Sequence, residues 1–78
     1  MNANQRNLSR ISEVRRLYLS GDATKLRVAA GISQAEFAIG VNVSPAAVSL
    51  WEAGKRSPRG KTALECWHAL NSMREALS

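Results

Sequence analysis

Apolar residues recur along most of this chain at helical spacing, and no stretch shows the strict alternation of a strand. From Asn7 or Leu8 to about Leu19, Ile11, Val14 and Tyr18 stand at i, i+3 and i+7, with Leu17 widening the face, which predicts a leading helix. Ser20-Gly21-Asp22 interrupts it. Either Ser20 or Asp22 can cap the next helix, which is expected to run to Ala30 and stop at Gly31. Ser33-Gln34-Ala35-Glu36 then reads as a capping box, in which the Ser33 hydroxyl accepts from the Glu36 amide while the Glu36 carboxylate accepts from the Ser33 amide. It predicts a helix from Gln34 to about Gly40. A turn through Val41, Asn42 and Val43 follows, where Asn42 can take the left-handed conformation that usually calls for glycine.

Ser44-Pro45 opens another helix, because serine suits the N-cap and the fixed φ of proline suits the first helical position. This helix is expected over Pro45 to Ala53, with Gly54 ending it at positive φ. After the loop around Ser57-Pro58, a last helix is predicted to begin between Arg59 and Thr62 and reach about Ala76. Its apolar face would hold Ala63, Leu64, Trp67, Leu70 and Leu77. Residues 1–6 carry no apolar period and are expected to form a mobile arm. The fold class is therefore all-α: one domain over residues 7–78, a compact bundle of about five short helices.

Charge narrows the partners. Eleven Lys and Arg against six Asp and Glu give a net charge of +5, which in 78 residues favours polyanions. No basic residue falls between Val28 and Gly54, whereas Lys55, Arg56, Arg59 and Lys61 crowd the segment after the Pro45 helix. Arg6, Arg10, Arg15, Arg16, Lys25 and Arg27 lie in the first third, and Arg10, Arg15 and Arg16 read as a solvated helix face.

Candidate chemistry is sparse. Cys66 has no cysteine partner, and with His68 it supplies too few ligands for a zinc site, so a core thiol and an exposed imidazole are expected, with no metal. Gly60-Lys61-Thr62 copies the end of a phosphate-binding loop, but Lys55 occupies the place of that motif's first glycine. No cofactor is expected. A chain this short leaves little room for a concave substrate site, and no nucleophile has a neighbouring base, so an enzyme is not expected. No apolar run approaches a membrane span or signal sequence, which places the expected protein in the cytoplasm.

Leu26-Arg27, Gly31-Ile32-Ser33-Gln34, Glu36-Phe37-Ala38, Val43-Ser44, Val48-Ser49, Trp51-Glu52, Gly54-Lys55-Arg56 and Pro58 together resemble the XRE group of helix-turn-helix proteins, the phage repressor and Cro type. The resemblance covers about Leu19 to Leu70 and preserves the order and spacing of cap, turn, helix stop and basic loop. Two features depart from it: Asn42 replaces the usual turn glycine, and roughly the first 17 residues exceed the minimal unit. The resemblance implies a lambda-repressor-like domain in which the Pro45 helix enters the major groove of double-stranded DNA and the Gln34 helix lies across the backbone. It further implies that Gln34 binds a phosphate at its helix start, that Lys55 and Arg56 meet the backbone, and that Arg27 and Glu52 form a structural ion pair. Arg59 and Lys61 extend the same basic cluster and are assigned to phosphate as well.

Within the Pro45 helix, Val48 and Trp51 lie three apart and should face the core, with Ala47 beside them. That leaves Pro45, Ala46, Ser49, Leu50 and Ala53 outward, a face without the Arg, Asn or Gln that make bidentate bonds to bases. Pro45, Ala46, Ser49 and Leu50 are the expected base contacts: Ser49 by hydrogen bonding, Ala46 and Leu50 against thymine methyls. Phosphates would supply most of the affinity, and DNA shape part of the selectivity.

The function this implies is a dimeric transcription regulator, a repressor or Cro-like protein, on an operator of two half-sites about 34 Å apart. It would be nucleoid-associated when bound. Trp67, Leu70, Met73 and Leu77 offer more apolar surface than a short helix needs, which suits either a homodimer interface or a leading helix that covers them. The alternative function is an antitoxin-like or adaptor module whose Leu50 or C-terminal face captures a protein partner.

Overall fold

The computed structural model describes residues 2–78, which form helices and no strand: α1 (Ala3–Ser20), α2 (Asp22–Ala29), α3 (Gln34–Gly40), α4 (Pro45–Glu52) and α5 (Gly60–Ala76). The arm expected over residues 1–6 is corrected. Met1 lies outside the described residues, and the chain is helical from Ala3, because Asn2 and Gln5 form a capping box. The Asn2 side chain accepts from the Gln5 amide at 2.9 Å and the Gln5 side chain accepts from the Asn2 amide at 3.0 Å. A cap of this kind starts a helix without any apolar face, and so hydrophobic spacing gave no sign of these first turns.

The choice between Ser20 and Asp22 as a cap resolves to neither. Gly21, at φ 86°, is both the end of α1 and the N-cap of α2, leaving Asp22 in the first turn, where its charge suits the helix dipole. The next three helices end alike. After α2, the Gly31 and Ile32 amides donate to the Val28 and Arg27 carbonyls; after α3, Asn42 and Val43 donate to Ile39 and Ala38; after α4, Gly54 and Lys55 donate to Trp51 and Leu50. Each is a Schellman closure around one left-handed residue. In the middle one that residue is Asn42, at φ 58°.

α1 packs mainly against α5, and α3 against α4. Val14 and Tyr18 of α1 are buried with Ala63, Cys66, Leu70 and Met73 of α5, and Ala23, Phe37, Ala38, Val41, Val48 and Trp51 complete the core. Tyr18 joins the two layers by an edge contact with Trp51, ring centres 5.7 Å apart. Burial raises the Tyr18 hydroxyl above its ordinary value and pushes the Cys66 thiol up to about 12, leaving it protonated and unreactive. His68 is exposed.

The leading helix covers the apolar surface that suggested a dimer contact. Leu70 and Met73 are buried, and the half-buried Trp67 donates its indole N–H to Glu13 at 2.9 Å while the Arg10 guanidinium lies 4.4 Å from its ring centre. Of the four residues only Leu77 remains substantially exposed, at 47%.

Candidate nucleic-acid interface

The position of α4 is set from behind. Its inner face buries Val48 and Trp51 completely or nearly so, while at its end Glu52 receives a fork from Arg27 of α2: Nε to Oε2 at 2.6 Å and Nη2 to Oε1 at 3.0 Å. Arg27 also donates to the Ile32 carbonyl at 2.7 Å, and Gln34 donates its Nε2 to Glu52 Oε1 at 3.0 Å. Thr24 of α2 adds to the favourable surroundings of the same carboxylate. The side chains of Arg27 and Glu52 are 13% and 8% exposed, so this network is shielded from water and ties α2, α3 and α4 at one point. Burial alone would raise the Glu52 carboxyl, but the bonds from Arg27 and Gln34, with the charge of Arg27, outweigh it and hold the group below the usual carboxylate range. The bond from Glu52 raises the Arg27 guanidinium in turn.

Gln34 thus sits where the sequence suggested, at the first position of α3, but its carboxamide is bound to Glu52 and the residue is half-buried. The capping box beside it has Glu36 accepting from the Ser33 amide at 2.9 Å and Ser33 accepting from the Glu36 amide at 3.0 Å. That contact with the Ser33 backbone, and then with its hydroxyl, holds the Glu36 carboxyl below its ordinary value.

On the outer face of α4, Pro45, Ala46, Ser49 and Ala53 are exposed. Leu50 differs from the outward expectation in being half-buried. It lines a groove together with Ala46 of the same helix and Lys55, Arg56 and Arg59 of the segment that follows. The groove exists because the Leu50 carbonyl accepts from both the Lys55 and Arg56 amides, at 3.0 and 3.3 Å, folding the basic segment back along α4. Pro58 is buried, which anchors the far end of that segment, and Arg59 is the N-cap of α5. Lys61 is exposed in the first turn of α5 and does not line the groove. No side chain caps α5, so its first amides add to the positive potential at this edge.

One residue near this surface belongs to the helix face expected to be solvated. Arg15 of α1 reaches across to the Pro58 carbonyl, 3.5 Å from its Nε, and lines a second hollow with Gly54, Lys55, Arg56, Ser57 and Arg59. The contact spans 43 positions, and no local pattern announces it. Among the described residues no three His, Cys, Asp or Glu side chains converge as a metal site would require, and no helix is long and apolar enough to cross a membrane.

A small uncharged helix face bordered by a cationic loop is the chemistry of a duplex-binding surface, neutral where it meets base edges and positive where it meets phosphates. The helix-turn-helix family profile matches residues 24–75, two thirds of the chain, from α2 through nearly all of α5. No match was found among curated proteins or solved structures. The lambda-repressor-like arrangement of α2 to α5 agrees with the profile, and α1 lies outside it. The chain belongs to the XRE-type helix-turn-helix family of DNA-binding proteins.

Proposed function

We propose that this protein is a transcription regulator, a repressor of the Cro-like kind, that acts as a dimer on an operator with two related half-sites. The observation that carries the reading is the groove in which α4 and the cations Lys55, Arg56 and Arg59 face one another. With α4 in the major groove, Pro45, Ala46, Ser49 and the exposed edge of Leu50 meet bases, while Lys55, Arg56, Arg59, Lys61 and the start of α3 at Gln34 meet phosphates. The base-reading set is poor in hydrogen-bonding groups, so selectivity rests on methyl contacts, Ser49 and the shape of the DNA. Such a regulator works in the cytoplasm, on the nucleoid. Because Leu70 and Met73 are buried within the monomer, this reading assigns neither of them to the dimer contact.

Selection of bound duplexes from a random pool tests the whole reading. A palindromic motif with half-sites about one helical turn apart supports dimeric operator recognition, and a single unpaired motif removes the dimer. Absence of salt-sensitive binding to any duplex replaces the regulator with the adaptor or antitoxin-like alternative.

A further inference from the structure

We propose that Arg15 of α1 is an additional phosphate contact, through which the helix outside the family-matched segment joins the DNA-binding surface. The proposal rests on the duplex-binding reading above and extends it to a fifth cation. Arg15, Lys55, Arg56 and Arg59 line one hollow, and no carboxylate lines it with them. Two described carboxylates pair with other arginines, Glu52 with Arg27 and Glu13 with Arg74, and neither pair involves a cation of this hollow. Arg15 has its Nε at 3.5 Å from the Pro58 carbonyl, the outer limit of a hydrogen bond, and among the described residues no acceptor meets the four other N–H donors of its guanidinium. Four cations gathered without an acid repel one another, and an anion in the hollow reverses the sign of that energy.

The order of the parts along the surface selects the anion. The loop from Lys55 to Arg59 borders both concavities, the first lined also by Ala46 and Leu50 of α4 and the second by Arg15. A DNA strand whose bases meet α4 carries its phosphates over this loop. Continued beyond it, with one phosphate about every 3.4 Å of helix axis per strand, the same backbone reaches Arg15. Arg16, the next residue, is a natural control: its guanidinium donates to the Ser12 hydroxyl at 3.2 Å and lines neither concavity.

The test is fluorescence anisotropy with a labelled random-sequence duplex roughly three helical turns long, titrated from about 50 to about 200 mM salt. Arg15→Ala should flatten the slope of log affinity against log salt by about 0.9, so that its loss over this fourfold salt range is about three- to fourfold smaller than that of the unaltered protein. Arg15→Lys should restore the slope, since a phosphate contact needs the charge, and Arg16→Ala should leave it unchanged. Circular dichroism of each variant establishes that the helices persist. A wild-type slope in Arg15→Ala overturns the proposal and leaves DNA binding by α4 standing. A slope that Arg15→Lys fails to restore also overturns it, because Arg15 then acts by placing the loop through Pro58. If the unaltered protein shows no salt-sensitive binding, both readings fall.

Discussion

Where α1 meets α5 the contact is an apolar seam, with Val14, Cys66, Leu70 and Met73 buried and Glu13 engaging Trp67 and Arg74 at its rim. Where α4 meets α2 and α3, burial of Val48 and Trp51 is supplemented by directed bonds that converge on Glu52. The difference follows from what each region presents to solvent. A long helix such as α1 can be located by a continuous buried stripe. α4 has eight residues and a face of small side chains that must stay exposed, so its two buried anchors leave its tilt loosely defined. The fork from Arg27 supplies the missing constraint, since a bidentate pair fixes both distance and direction.

The largest effect should therefore come from breaking that fork. Glu52→Ala is expected to cost on the order of 3–5 kcal/mol by leaving the Arg27 charge shielded and unpaired, comparable to the roughly 2–5 kcal/mol of Leu70→Ala in the apolar seam. Urea unfolding measures both. The regions separate in the double variant Arg27→Met with Glu52→Leu, which should recover most of the stability, as apolar replacements of shielded ion pairs often do. It should nevertheless bind duplex DNA more weakly than the unaltered protein. Full binding by the double variant would show that apolar packing alone orients α4.

Acid should act on the same region next. The Glu52 carboxyl is held below the usual carboxylate range, against burial, chiefly by Arg27 and Gln34. A group whose folded pKa is depressed contributes its full stabilisation above the unfolded value and loses it as pH falls through the folded one. Unfolding free energy should thus decline as pH drops below about 4.5, more gently in Glu52→Gln than in the unaltered chain when each is measured against its own neutral-pH value. Equal declines would assign acid sensitivity to other carboxyls, with Glu36 the first candidate.

This contrast also explains what sequence could and could not reveal. The starts of α3 and α4 and the stops at Gly31 and Gly54 depend on residues within a few positions of one another, and the structure has them where local chemistry puts them. The early start of α1 was equally local, but it lay in the Asn2–Gln5 cap rather than in an apolar period. Three other features join distant positions: the cover of Trp67 by Arg10 and Glu13, the bond between Gln34 and Glu52, and the approach of Arg15 to Pro58. Each depends on how helices cross, which periodicity along one helix does not encode. Leu50 differs again: its carbonyl closes on the Lys55 and Arg56 amides only five and six positions on, and helical spacing alone does not report that return of the loop.

The turn between α3 and α4 offers a smaller and more local perturbation. Asn42 holds φ at 58°, with the Val43 amide closing on the Ala38 carbonyl at 3.0 Å. Asn42→Ala should destabilise by about 1 kcal/mol, because a β-carbon is strained in this conformation and alanine lacks the local hydrogen bonding that helps asparagine tolerate it. Asn42→Gly should be close to neutral. An unchanged urea midpoint in Asn42→Ala would mean that the turn relaxes, and that the approach of α3 to α4 is governed by packing alone.

The smallest effects are expected on the outer face of α4, where substitution should change recognition and barely touch the fold. Ser49 is exposed and supplies the only side-chain hydroxyl among Pro45, Ala46, Ser49 and Leu50, so Ser49→Ala should shift preference at one base position by roughly 1 kcal/mol with the unfolding curve unchanged. Leu50→Ala should relax preference at a thymine-containing position by a similar or smaller amount, and its half-burial in the groove adds a modest loss of stability. Lys55→Ala supplies the opposite pattern: all duplexes weakened alike and the salt slope reduced by about one. The comparison is read from binding to a panel of duplexes differing at single positions. If Ser49→Ala and Leu50→Ala weaken every duplex equally, α4 contributes no base readout, and selectivity lies in the shape of the DNA that the cationic loop follows.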